Sequence, residues 1–266
     1  MYDRSRIFIF RRPEGAGLPP ETWRRLLFIG GLLGALWLAN ALLMGPGLAL
    51  ARAVRFVLYV PLLLFSLSFH EYAHALMADF LGDPTPRRQG RLSLNPLAHL
   101  DVVGTIMLVF SNFGWARPVV VDPSNFRVPA RAMMSVALAG PVSNLLLAVV
   151  AGAAMKGLIM AQGLWGMPDL PFELLLGVFK AFLLVNLALA CFNLLPLPPL
   201  DGSRVLRYFL PARQASLMRT LDDMGPLLLI LAVSLGFLDP ILWPMMEFSA
   251  KAVLDLFGLP LWLLRL

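Results

Sequence analysis

The chain has 266 residues, of which 59% are hydrophobic and only 14% charged, and its mean hydropathy is +0.76. Water-soluble domains carry about 25% charged residues, so the composition argues against a soluble single-core enzyme and against a disordered or fibrous protein. The single cysteine, Cys191, excludes an internal disulfide framework and a four-cysteine zinc site, and the net charge of +6 does not indicate a nucleic-acid partner, because its 19 arginines gather in loops between apolar runs.

Residues 1–25 are polar and basic, and the following run, Leu26 to Leu50, has no charge. That run exceeds the roughly 7–15 apolar residues of a secretory signal, so a retained spanning helix is preferred over cleavage at Ala49-Leu50-Ala51. Five further apolar runs follow, about Val54–Leu81, Ala132–Met160, Phe172–Leu195, Gly225–Phe237 and Ile241–Leu264, of which Gly225–Phe237 is the shortest. Runs of this kind suit the roughly 30 Å hydrocarbon layer of a bilayer. The expectation is one all-α polytopic membrane domain over residues 1–266 with about six transmembrane helices. Of the 19 arginines, 17 fall in the N-terminal tail, the 82–131 and 201–219 loops and the C-terminus. The positive-inside rule then places both termini in the cytoplasm of a multi-pass protein of the cell (inner) membrane.

The 82–131 segment is neither span nor short loop. It opens on a helix stop, Gly82-Asp83-Pro84, and contains twelve mostly apolar residues, Val102 to Phe113, too few to cross. A re-entrant or interfacial element fits that length. Pro118-Val119-Val120-Val121-Asp122-Pro123 is β-branched and bracketed by prolines, which predicts a short strand. Irregular backbone at membrane depth requires cover from protein or from a watery cavity, so a cavity is expected here.

His70-Glu71-Tyr72-Ala73-His74 lies within the Val54–Leu81 run. On a helix the two histidines stack one turn apart and can reach one metal ion, with Glu71 beside them, placed to take a proton from an attacking water. Three ionisable residues within five positions of an apolar helix are costly and normally face a partner or a watery cavity. A hydrogen-bonded cluster without metal is the bland alternative. A catalytic zinc takes three protein ligands and keeps one position open. Asp79, His99, Asp101 and Asp201 are the candidates for the third. Asp79 is rotated off the histidine face, whereas Asp201 follows Pro196, Pro198 and Pro199 at the end of the Phe172–Leu195 run and is the better placed, with His99 as the fallback.

His70-Glu71-x-x-His74 together with Asn193-x-x-Pro196-x-x-x-Leu200-Asp201-Gly202 resembles the site-2 proteases, intramembrane zinc metalloproteases. Gly90-Arg91-Leu92-Ser93-Leu94-Asn95-Pro96-Leu97-Ala98-His99-Leu100-Asp101 and Gly140-Pro141-Val142-Ser143-Asn144 look like the small bacterial members, and the resemblance covers about residues 50–210. It implies one Zn2+ per chain held by His70, His74 and Asp201, Glu71 as general base, and Asn193 as donor to the oxyanion. It also implies that Gly140 and Asn144 line the substrate, and that a membrane-embedded β-hairpin maps onto the 82–131 loop. Val119, Val120 and Val121 would offer an edge for an extended substrate. The implied partners are a transmembrane protein substrate and the lipid bilayer. The loop at about 161–171 is too short for an inserted PDZ domain, and no CBS domain is expected.

Two other classes are open: a polytopic transporter whose histidines bind its cargo, and a zinc-binding scaffold without activity. Transporters are often built from two related halves, and none are visible in this sequence. Cys191 and the thirteen methionines read as packing, and Asn40 and Asn186 as interhelical hydrogen-bond formers. Gly30-Gly31-x-x-Gly34 reads as a close helix approach, with the oligomeric state open. Asp222-Asp223 reads as structural, and Arg204 and Arg207 as cytoplasmic anchors.

Overall fold

A computed structural model describes residues 46–99, 101, 117–211 and 214–264. The basic N-terminal tail, most of the Leu26–Leu50 run, the Gly30–Gly34 cluster, Asn40 and the Val102–Phe113 stretch therefore lie outside the described residues. Eight α-helices are present among those described: α1 (Pro46–Phe80), α2 (Thr85–Arg88), α3 (Pro96–His99), α4 (Pro129–Trp165), α5 (Asp169–Asn193), α6 (Asp201–Phe209), α7 (Ala215–Ser234) and α8 (Asp239–Leu256). Single 3-10 turns cover Pro123–Asn125 and Leu261–Leu264.

α4 is the centre of the molecule and packs against α1, α5, α6 and α8. Its buried face is rich in small residues, among them Ala137, Gly140, Ala148, Ala151 and Gly152, and Gly152 shows why: a Cβ there would press on Val253 and Phe257 at 3.0–3.1 Å. Small residues let helix backbones approach closely where lipid removes the hydrophobic drive for association. Around this contact Ala148, Ala151, Met155, Leu158, Leu183, Leu187, Val253 and Leu254 form the main core. A second cluster, Ala78, Phe126, Ala132 and Val136, joins the end of α1 to the 117–126 segment and α4.

The outward surface is apolar. Leu146, Val150, Leu174, Phe248 and Trp165 are all well exposed, the opposite of a solvated exterior and suited to lipid. By length and composition α4 and α5 can each cross a membrane, and residues 220–234 with α8 form a pair bent by 80° that makes either a third, broken span or a re-entrant loop. The expected Gly225–Phe237 and Ile241–Leu264 runs fall on the two arms of this bent pair. The chain turns between them where Gly236 takes φ +71° ahead of Asp239-Pro240. Among the described residues two helices, or three with the bent pair counted as one span, are long and apolar enough to cross, and most of the Leu26–Leu50 run expected to form the first of about six spans lies outside those residues.

No β-strand forms among the described residues. Residues 117–122 run without regular structure, and the physical reason lies in their donors. Pro118 and Pro123 have no N–H, the Val119 N–H donates to Glu71 Oε2 (3.1 Å) and the Asp122 N–H donates to Asp83 Oδ2 (2.8 Å). Side-chain carboxylates at the end of α1 take the bonds that a ladder would need. Asp83 is fully buried and also accepts from the Thr85 N–H and the Asn125 amide. Asp122 caps the following turn, and the Ser124 hydroxyl and N–H hold its carboxyl below the usual range.

Asp83 therefore joins the loop to the helix that carries the histidines. Asp83→Ala leaves three donors without that acceptor and is expected to destabilise the protein by about 2–3 kcal/mol, read as a lowered unfolding midpoint in detergent. Wild-type stability in that variant would show that the carboxylate does not hold the loop.

Candidate metal centre

His70 and His74 lie on one face of α1, their rings 4.6 Å apart and nearly perpendicular, and both are buried against α4. What lies behind each ring determines what it presents in front. His74 Nδ1 is 2.7 Å from the Val136 carbonyl oxygen, which can only accept, so Nδ1 carries the proton. His70 Nδ1 is 2.6 Å from Asn144 Oδ1, and the orientation of that amide is set by a relay. The Asn186 amide donates to the Phe182 carbonyl, leaving its oxygen to accept from Asn144 Nδ2 at 2.8 Å. Asn144 Nδ2 also faces the Ser66 carbonyl. Asn144 Oδ1 is thereby fixed toward His70, and His70 Nδ1 is the donor. With Nδ1 carrying a proton on each ring, the two imidazoles turn Nε2 toward the same point.

Asp201 reaches that point from α6. Pro196, Pro198 and Pro199 end α5 and turn the chain, with the Pro198–Pro199 peptide in cis. Gly202 lets α6 start hard against α5, since a Cβ there would collide with the carbonyl oxygens of Leu194 and Leu195. Asp201 Oδ2 then sits 3.2 Å from His70 Nε2 and 3.1 Å from His74 Nε2, and the two nitrogens are 3.0 Å apart. Three lone-pair donors this close repel one another unless a cation, or an added proton, lies among them. A tetrahedral zinc with bonds of about 2.0–2.1 Å has donor–donor edges of about 3.3 Å, so the triangle fits such an ion with a slight outward relaxation. Among the described residues these three form a group of metal-ligating side chains within reach of one another.

The other candidates for the third ligand are engaged elsewhere or lie outside that group. Asp79 takes the Arg87 guanidinium on both oxygens, at 2.8 and 2.6 Å. His99 is buried with Nε2 on the Ser93 carbonyl at 2.6 Å. Asp101 does not belong to the three-residue group.

Glu71, half-buried, borders a cavity of about 120 Å³ that also meets His70, His74, Asp201, Val119, Val121, Asn193 and Arg204. Asn193 borders the cavity, but its Nδ2 donates to the Leu189 carbonyl one turn back on α5 (2.9 Å), so half of its donor capacity is turned away. Gly140 and Asn144 were expected to line the substrate. Asn144 is instead fully buried behind His70, while Gly140 lies on the Nε2 side of the imidazoles, where a Cβ would come within 2.5 Å of both Nε2 atoms. Of the three valines, Val119 is buried with its N–H on Glu71, while Val120 is exposed. Nearby, burial and the adjacent Arg117 push the Arg91 guanidinium below its usual range while Glu71 pulls it back up, and Arg91 donates to the Ala98 carbonyl.

Sequence reasoning missed the partners behind the rings. Asn186 reads as a hydrogen-bond former, but nothing in its spacing points to Asn144, and the Val136 carbonyl carries no side-chain signal. Ligand-orienting partners of this kind alter metal affinity about 10–100-fold. Asn144→Leu is therefore expected to weaken zinc binding by that factor, measured by competition with a chromogenic chelator. Unchanged affinity would mean that the relay does not orient His70.

The profile of peptidase family M50 matches residues 156–232, the stretch containing Asn193 and Asp201. The chain is 38% identical over 199 residues to "Putative zinc metalloprotease YwhC" of Bacillus subtilis (strain 168), which covers 74% of this chain and 89% of that one. It is 32% identical over 152 residues to "Putative zinc metalloprotease Rip2" of Mycolicibacterium smegmatis (strain ATCC 700084 / mc(2)155), which covers 55% of each chain. No solved structure gives a significant match. With the relationship to the Bacillus protein running over most of both chains, the protein belongs to peptidase family M50, the site-2 proteases, and is a zinc-dependent metalloendopeptidase of a membrane.

Proposed function

We propose that this protein cleaves peptide bonds within or beside the transmembrane segments of membrane-protein substrates, the chemistry of regulated intramembrane proteolysis. The observation that carries the reading is the convergence of His70 Nε2, His74 Nε2 and Asp201 Oδ2 beside Glu71, in a molecule whose outer surface is apolar. In this reading His70, His74 and Asp201 hold the zinc. α1, α4 and α5 cross the bilayer, and the arginine distribution supports a multi-pass arrangement with both termini in the cytoplasm. α1 has 35 residues, about 52 Å of helix against a hydrocarbon layer of about 30 Å, so it tilts or protrudes. The histidines lie toward its C-terminal end, which favours cleavage nearer the cytoplasmic side.

Zinc, when bound, supplies the Lewis acidity that makes hydroxide available near neutral pH and polarises a carbonyl. Glu71 takes the proton from the attacking water and returns it to the leaving amine. Because the Val119 N–H is held on Oε2, Oε1 is the oxygen free for the proton. The second Nδ2 hydrogen of Asn193 is available to the scissile carbonyl oxygen. A helical substrate has each carbonyl engaged by the amide four residues on, so it must unwind locally before it can enter. Val120 and Val121 border its path, and helix-breaking residues in the substrate favour entry.

Glu71→Gln is expected to keep stoichiometric zinc and to lower turnover of a membrane reporter by about 10²–10⁴-fold. A transporter or inert scaffold would be indifferent to that change, so equal cleavage by wild type and variant would remove the assignment. His70→Ala and Asp201→Ala are each expected to lose zinc in elemental analysis of the purified protein. Retention of the ion in either would displace that residue from the ligand set.

A further inference from the structure

We propose that Arg204 is a further catalytic residue, whose guanidinium receives the scissile carbonyl oxygen as negative charge develops on it; this rests on the proteolytic reading above. Read from the sequence, Arg204 and Arg207 are equivalent anchors, yet the fold separates them. Arg207 is paired with Asp222, at 2.6 and 2.7 Å. Arg204 lies three residues after Asp201 on α6, on the same helix face, and borders the cavity. It is exposed and has no hydrogen-bond or ion-pair partner among the described residues.

The donors around the cavity lead to the same residue. The side chains of His70, His74, Glu71 and Asp201 present lone pairs. The Val119 N–H is held by Glu71, and Asn193 has one amide hydrogen on Leu189. Arg204 is the bordering side chain whose donors are all uncommitted, five N–H groups in a rigid fork on a permanent charge. A site surrounded by acceptors needs a donor where charge develops, and removing one such donor elsewhere costs about 10²–10³ in kcat. In the step itself, the water oxygen bonds to the carbonyl carbon, its proton passes to Glu71, and the carbonyl π pair moves onto the oxygen beside Arg204. The pair then returns, the C–N bond breaks, and the amine nitrogen takes the proton from Glu71. Arg204 keeps all its protons throughout.

The test uses the full chain with a single-span reporter in neutral detergent, comparing wild type, Arg204→Lys, Arg204→Met and Arg204→Gly. Arg204→Met is expected to lower kcat about 10²–10³-fold with KM changed less than about threefold and zinc stoichiometry intact. Arg204→Lys should fall between, and added guanidinium ion should partly restore Arg204→Gly. Affinity for a phosphinic peptide, whose tetrahedral anion mimics the transition state, should fall with kcat/KM, while Glu71→Gln with and without Arg204→Met should bind the uncleaved reporter equally. Undiminished kcat and phosphinic affinity in Arg204→Met would overturn the role. So would a defect that appears only in vesicles containing anionic lipid, which would assign the guanidinium to a lipid phosphate. A wild type that neither cleaves the reporter nor binds the phosphinic peptide would instead overturn the proteolytic reading itself.

Discussion

The meeting of three electron-pair donors at one point inside an apolar helical protein is the constraint on which the other features depend. His70 Nε2, His74 Nε2 and Asp201 Oδ2 lie 3.0–3.2 Å apart, an arrangement that is repulsive by itself and attractive around a divalent cation. Such an arrangement persists in low dielectric only if each group is held from behind. Asn144 and the Val136 carbonyl do this for the imidazoles by fixing both Nδ1 protons, and the proline turn does it for the carboxylate by fixing where α6 begins.

Backbone contact, rather than side-chain bulk, brings these pieces close enough. Gly140 lets α4 press against the imidazoles and Gly202 lets α6 press against the end of α5. A methyl group at Gly140 would press on both Nε2 atoms, and one at Gly202 would press on the Leu194 and Leu195 carbonyls. The buried polar relay from Phe182 through Asn186 and Asn144 to His70 is fully hydrogen-bonded, which is the condition under which a polar network strengthens rather than weakens a dry interior. The site is therefore the place where α1, α4, α5 and α6 agree on a common geometry.

The segment after Arg117 has a different task. Its peptide groups bind the carboxylates of Glu71 and Asp83, so it covers the base and closes the cavity on the loop side. Its prolines and carboxylate partners give it an extended form without a ladder. Val120 is exposed between Val119 and Val121, which border the cavity, and Arg204 borders it on the α6 side.

Much was legible in the residues themselves. The apolar runs place α4 and α5 to within about five residues, because burial in lipid leaves little choice of composition, whereas α1 starts at Pro46 rather than near Val54. The i, i+4 spacing puts both histidines on one face because the helix repeat is 3.6 residues, and the three prolines before Asp201 announce a break. Family resemblance attached a ligand set to those positions. Tertiary structure alone decided the rest. A hydrogen bond across 62 to 74 positions, such as His74 to Val136 or His70 to Asn144, leaves no local periodicity to read. The 80° bend between α7 and α8 depends on packing that hydropathy does not record. Arg204 and Arg207 look alike in the chain. Only the α6–α7 contact, which takes Arg207 to Asp222 and leaves Arg204 at the cavity, tells the two apart.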